Sequence, residues 1–209
     1  VTPSKKMAWY EGPTLLTTLE SINVTADRNL VDFRFPVQYV MRPNSDFRGF
    51  SGTVASGTIT PGEEVAVLPS GRTTRVKSIV TYDGDLQEAF AGQAVVLTLA
   101  DEVDVSRGDM IVRTKNLPQM AARLEAILCW MDDQPLNLAK SYILKHTTRN
   151  VRAYVKKIIY RIDVDTLHRQ AAEAFALNDI GRVDIQLSLP IFFDPYKINA
   201  GCGRFILID

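Results

Sequence analysis

The chain has 209 residues, 46% of them hydrophobic and 23% charged, a globular profile that excludes wholesale disorder. Its 24 Lys and Arg balance 24 Asp and Glu, so the net charge is zero and wrapping by nucleic acid, which needs many neutralised phosphates, is disfavoured. Two cysteines and two histidines, Cys129, Cys202, His146 and His168, lack disulfide-framework or zinc-ligand spacing, and no apolar run is long enough to span a bilayer.

Residues 1–7 are polar and expected to be loose. Leu15, Leu16, Leu19 and Ile22 then recur at helical spacing behind Thr14, a residue suited to cap the first turn. A helix of about two turns is marginal alone, so its apolar face needs something to lie on. It reads as the end of a domain whose body lies elsewhere, or as a tether packed on the neighbouring barrel. The chain opens at Val1 rather than at a Met, which points to upstream residues.

From Asp32 the period changes to two. Phe33, Phe35, Val37, Tyr39 and Met41 alternate with Arg34, Pro36, Gln38 and Arg42, predicting a half-buried strand, with an edge or bulge at Pro36. Short strands are expected over 53–59, 64–68, 73–80, 93–99 and 110–113. The turns between them carry Pro61-Gly62, Pro69-Ser70-Gly71, Asp83-Gly84 and Arg107-Gly108. Many short strands with glycine turns predict a closed antiparallel barrel over residues 31–114, which also removes exposed strand edges.

Residues 115–120 read as a linker, and a second strand-rich block occupies 121–209. Leu124, Ala126, Leu128 and Trp130 share one face of its first strand, and Cys129, within an apolar run, is expected in the core. Strands are predicted over 142–146 and 151–162, joined by a polar turn. Residues 167–175 read as a short amphipathic piece of one or two helical turns, and Val183, Ile185, Leu187 and Leu189 as a further strand. The fold class is therefore all-β: two consecutive antiparallel barrels preceded by a short helix.

The chemistry is notable for what it lacks. There is no Gly-x-x-x-x-Gly-Lys-Ser/Thr loop and no Gly-x-Gly-x-x-Gly after a strand, so phosphate has no recognisable cradle. Gly49 and Gly52 lack a following helix and read as a turn. Asp83 with Asp85, and Asp163 with Asp165, read as turn residues rather than acid–base pairs. No catalytic, cofactor-binding or metal-binding residue is assigned.

Two surfaces remain as partner-interface candidates. One is the loop carrying Arg42, Asn44, Phe47 and Arg48, since Arg and aromatic residues are frequent interface anchors. The alternative there is a hairpin with Phe47 folded back over the barrel. The other is a basic run of Arg149, Arg152, Lys156, Lys157 and Arg161 with Tyr154 and Tyr160, in which Arg152, Tyr154, Lys156 and Ile158 are expected on one strand face. It reads as a solvated strand, a protein-docking surface or a stacking platform for RNA.

The motif Gly52-Thr53-Val54-Ala55-Ser56-Gly57-Thr58-Ile59, followed by Pro61-Gly62-Glu63-Glu64-Val65, resembles the first hairpin of domain II of translation elongation factor Tu and its relatives. Within that superfamily, several motifs resemble the GTPase subunit of bacterial sulfate adenylyltransferase. They are Trp9-Tyr10-Glu11-Gly12-Pro13-Thr14, Phe35-Pro36-Val37-Gln38-Tyr39-Val40-Met41-Arg42-Pro43-Asn44, Thr81-Tyr82-Asp83-Gly84-Asp85 and Leu177-Asn178-Asp179-Ile180-Gly181.

The resemblance implies paired barrels of the elongation-factor domain II and III type, with residues 1–30 as the tail of a GTPase domain. It implies a parent protein that couples GTP hydrolysis to synthesis of adenylyl sulfate from ATP and sulfate. GTP and Mg would be held in the upstream GTPase domain, and ATP elsewhere in the complex. The implied partners are that domain and the small catalytic subunit, in the cytoplasm, without a membrane and with nucleic acid disfavoured. The alternative is a nucleic-acid- or protein-binding double barrel of a translation-type GTPase. Family members continue past residues 204–209 into a glycine-containing strand, and some into an adenylyl-sulfate kinase domain. If that strand is missing, the second barrel has an open edge.

Overall fold

The computed structural model describes residues 5–7, 9–22, 29–44 and 47–209; of the loose opening segment expected over 1–7, residues 1–4 lie outside the described residues. A single 3-10 turn at Lys5–Met7 precedes α1 (Leu15–Ser21). Thr14 caps α1 as its residue type suggested, its hydroxyl oxygen accepting from the Thr17 amide at 3.1 Å. No residue of α1 is buried, so its leucines face outward on every side.

The first sheet system comprises β1 (Arg34–Met41), β2 (Gly49–Thr53), β3 (Thr58–Ile59), β4 (Glu64–Leu68), β5 (Arg72–Thr81), β6 (Gly84–Leu86), β7 (Ala89–Phe90), β8 (Ala94–Leu99) and β9 (Met110–Arg113). Every pairing is antiparallel. Hydrogen bonding runs β4-β9-β1-β2-β8-β5 and returns from β5 to β4, so these six strands form a complete circle. Inside it lie Phe33, Phe35, Val37, Phe50, Val65, Val67, Val76, Ile79, Leu97 and Ile111.

The second system comprises β10 (Gln119–Cys129), β11 (Tyr142–His146), β12 (Arg149–Ile162), β13 (Arg169–Gln170), β14 (Ile180–Phe193), α2 (Ala200–Gly203) and β15 (Ile206–Ile208). The order is β10-β14-β12-β11-β15, with β13 beside the end of β12. Its core gathers Leu128, Trp130, Tyr142, Leu144, Val151, Val155, Phe175, Val183 and Ile185. Among the described residues, this sheet stays open between β10 and β15.

Several local expectations are corrected. Gly49 and Gly52 lie in strand β2, not in a turn. A Cβ on Gly49 would fall 2.4 Å from the Val96 side chain, and one on Gly52 would fall 2.6 Å from the Pro36 carbonyl oxygen. Both positions are thus fixed by close approach within a sheet. Pro36 occupies a strand paired on both sides rather than an edge, and the bulge lies between Val37 and Tyr39. That extra residue reverses the alternation, so Tyr39 turns out to 65% exposure although Phe33, Phe35 and Val37 are buried.

Residues 167–175 contain no helix. The segment turns at Leu167, with φ of 59°, and pairs Arg169 and Gln170 back onto β12. Asp163 closes this tip by accepting from the amides of Asp165 and Thr166, a local competitor to helix formation. Cys129, expected in the core, is exposed, because it falls on the outer face of β10 opposite Leu128.

Candidate coupling and docking interface

Arg34 occupies the outward phase of β1, between the inward rings of Phe33 and Phe35. It is nevertheless only 1% exposed, because the second sheet system covers that face. A buried guanidinium requires a partner for each N–H. Nε donates to Asp194 Oδ2 at 2.9 Å and Nη2 to Asp194 Oδ1 at 2.9 Å. Nη1 donates to the Phe33 and Asn116 carbonyls, and Nη2 also to Asn116 Oδ1, so all five donors are used.

The network extends on both sides of this fork. Asn199 donates to Asp194 Oδ2 and to the Ser56 hydroxyl, both at 2.8 Å, and Ser56 donates to the Asp32 carbonyl. The side-chain amides of Asn29 and Asn116, and then the charge of Arg34, hold the Asp32 carboxyl below its ordinary value against the pull of burial. Asn29 also donates to the Ile198 carbonyl.

A small apolar layer lies alongside. Ala66 and Leu68 of β4, Met110 and Val112 of β9 and Cys202 of α2 form one buried cluster, against which Ala55 and Phe192 pack. This explains why β4 buries both of its faces. The glycine of α2 permits the approach: a Cβ on Gly201 would stand 2.7 Å from the Ala55 carbonyl oxygen. Together these contacts bolt the two sheet systems into one body.

His146, at the end of β11, is buried and its Nε2 lies 2.9 Å from the Cys202 carbonyl oxygen, so the neutral ring donates there. Burial holds its pKa below the ordinary 6.5. As pH falls below about 6.5 the unfolded chain takes up a proton that the folded chain resists, so stability is complete above that pH and declines below it. His146→Gln is expected to flatten the pH dependence of the urea midpoint between about pH 5 and pH 7, and an unchanged slope would remove His146 from the titration.

The sequence-predicted interface residues divide among three places. Arg42 and Asn44 are exposed, and Asn44 Oδ1 accepts from the Phe47 amide at 2.9 Å. Phe47 is half-buried over Gly49, as in the folded-back alternative, and Arg48 meets Asp104 at 3.2 Å with its guanidinium 5.5 Å from the Phe50 ring. The second group does not form one patch. Arg149 turns toward the first sheet system, its aliphatic stem beside Gly108. There its charge acts on Asp109, whose pKa is raised by burial and pulled back by the Ser106 amide and by Arg149.

Arg161 is engaged by Asp179 and Gln170. Arg152 and Lys156 remain exposed on β12, but a register shift between Val155 and Lys157 turns Ile158 inward instead of leaving it beside them. What sequence reasoning missed is the Arg34–Asp194–Asn199 set. The available signal was an arginine between two phenylalanines at the start of a strand.

A cleft of about 540 Å³ opens between the two systems, lined by Gln38, Thr53, Gly92, Thr147, Asn199 and Arg204 among others. Among the described residues, its only charged lining residue is Arg204. Among the described residues, no group of three His, Cys, Asp or Glu side chains could hold a metal, and no helix is long and apolar enough to cross a membrane.

Residues 50–112 match the family model of elongation factor Tu domain 2, and residues 123–209 match that of the GTP-eEF1A C-terminal domain. The chain is similar to the bifunctional enzyme CysN/CysC of Rhodopirellula baltica, 52% identical over 206 residues, covering 99% of this chain and 32% of that protein. It is 50% identical over 209 residues to sulfate adenylyltransferase subunit 1 of Bacteroides fragilis, covering 100% of this chain and 44% of that one. The structure of sup35 complexed with GDP has a TM-score of 0.78 at 20% identity, covering 96% of this chain and 50% of that one, a likeness of fold. The chain thus spans less than half the length of these curated relatives.

Proposed function

The chain belongs to the sulfate adenylyltransferase subunit 1 branch of the elongation-factor superfamily, and from that premise we propose that it is the non-catalytic coupling and docking region of such a subunit. In this reading the whole protein hydrolyses GTP, with Mg, in a GTPase domain. It thereby drives a small catalytic subunit to form adenylyl sulfate from ATP and sulfate in the cytoplasm. Residues 31–114 and 121–209 act as two domains joined by 115–120, and residues 1–30 as the tail of the GTPase domain.

The observation that carries this reading is the buried bolt from Arg34 to Asp194 and Asn199. A region that transmits a nucleotide-dependent movement must move as one body, or the displacement is absorbed internally. The fully satisfied guanidinium and the apolar layer around Cys202 provide that stiffness. The exposed Leu15, Leu16, Leu19 and Ile22 along and just past α1 supply an apolar face for the GTPase domain to cover. The exposed loop carrying Arg42 and Asn44, with Phe47 and Arg48 behind it, and the cations Arg149, Arg152 and Lys156 are the candidate contacts to domain or subunit.

The test uses the full-length protein with its small subunit. Gly201→Ala, which wedges a methyl group against Ala55, is expected to leave GTP hydrolysis near normal while lowering adenylyl sulfate formed per GTP consumed. An unchanged ratio would remove the seam from the coupling path. Equal losses of both activities would make the region part of the hydrolytic machinery.

A further inference from the structure

The outer surface of the second sheet is charged in two different ways. On its β10–β14 half the charges are paired across strands: Arg123 Nη2 meets Asp184 Oδ2 at 2.6 Å, and Arg182 Nη2 meets Glu125 Oε2 at 2.6 Å. Along β15, β11 and the first half of β12 three cations stand without carboxylates. Lys145, Arg152 and Lys156 are exposed, and among the described residues none has an ion-pair partner. At the margins Lys140 is paired with Asp209, and Arg161, at the far end of β12, with Asp179.

The register fixes what lies between these cations. Ile143 is opposite Ile208 on one side and Arg152 on the other, and Lys145 is opposite Ile206 and Asn150. Tyr142, Leu144, His146, Val151, Ala153 and Val155 are all buried, so the intervening residues must project outward. Side chains directly opposite on one face are neighbours. Two rows result, Ile208–Ile143–Arg152 and Ile206–Lys145–Asn150. Lys156 extends the cationic margin along β12, its ammonium 5.2 Å from the Tyr154 ring. The isoleucines are 61% (Ile206), 42% (Ile208) and 39% (Ile143) exposed.

We propose that the outer face of β15, β11 and the first half of β12 docks a segment of a partner protein in which carboxylates flank aliphatic side chains. This inference rests on the docking role proposed above and assigns it a surface. Three β-branched aliphatic residues in one patch need apolar cover, and phosphates cannot provide it. Three neighbouring cations without carboxylates favour an acidic margin around that cover, which steers encounter and sets register. Arg152 lies opposite Ile143 at the end of the isoleucine row, placing a frequent interface anchor at the junction of the two chemistries. Arg149, turned toward the other sheet system, is outside this surface.

The test is calorimetric titration of the natural full-length protein with the small subunit of the same source at two ionic strengths. Ile206→Asp, and separately the double variant Arg152→Glu with Lys156→Glu, are each expected to weaken binding about tenfold or more. The charge-reversed variant should also lose most of the salt dependence of the wild type. Tyr39→Asp, an outward change on the first sheet system, should bind as the wild type does, and circular dichroism should show all variants folded. Wild-type binding that neither β-face variant alters overturns this inference and leaves the docking role standing. No binding by the wild type overturns both. Binding of a structured RNA, lost on charge reversal while the subunit still binds, reassigns the face to nucleic acid.

Discussion

Asp194→Ala is expected to destabilise the chain by about 3–5 kcal/mol, because it leaves the Arg34 guanidinium buried without its counter-charge. The carboxylate takes two of the five guanidinium donors of a side chain that is only 2% exposed. The remaining acceptors, the Phe33 and Asn116 carbonyls and Asn116 Oδ1, are already used. Asn199 would also lose one of its two acceptors. The measurement is the urea midpoint at neutral pH, read together with the slope m so that a change of cooperativity is visible. The double variant Arg34→Met with Asp194→Leu should recover a large part of the loss, since the penalty comes from the uncompensated charge and not from an absent attraction. A cost below about 1 kcal/mol for Asp194→Ala, the size expected of an exposed pair, would mean that water reaches the fork and the seam is not a bolt.

That sequence reading found the strands but not this fork has a simple physical basis. Burial on one face leaves a period-two trace, so β5 and β14 are visible as alternation, whereas β4 and β9, buried on both faces, are marked by short apolar runs next to glycine turns. Thr14 is equally legible, because a cap acts within three residues. Arg34 carries the opposite trace. It holds the polar phase of an alternating strand, and only a partner 160 residues away makes that phase an interior. The surroundings of Cys202 leave no local trace for the same reason: its neighbours Ala66, Leu68, Met110 and Val112 come from the other half of the chain.

The remaining errors arise where local geometry departs from the simple period. Single-residue bulges reverse Tyr39 and turn Ile158 inward, and no hydrophobic pattern announces an inserted residue. In the segment over 167–175, helical spacing of apolar residues competed with an aspartate that closes a tight tip, and the tip prevailed. Of the candidate docking residues, type and exposure were legible for Arg42, Arg152 and Lys156. Which cations share a surface was not, since Arg149 and Arg161 are drawn away by Asp109 and Asp179.

The thiols provide the second large effect. Burial, reinforced by the nearby Asp194 carboxylate, pushes Cys202 up to about 12. Alkylation proceeds through the thiolate, so at pH 8 the reactive fraction of Cys202 is roughly a thousandfold below that of an ordinary thiol with pKa near 8.5. Cys129, exposed on β10, should be modified with native kinetics, whereas Cys202 should label only after the two sheet systems part. Mass-resolved labelling at a fixed time therefore yields one adduct for the native chain and two in urea. The two experiments are linked by geometry, because Cys202 lies in the apolar layer that the Arg34–Asp194 fork closes. If that fork holds the seam, Asp194→Ala accelerates Cys202 labelling in the absence of denaturant, well before the midpoint of global unfolding. Labelling of Cys202 that tracks global unfolding alone, in both wild type and variant, would mean that the seam opens only when each sheet melts. The two systems would then be one cooperative unit and not two bodies joined by a bolt.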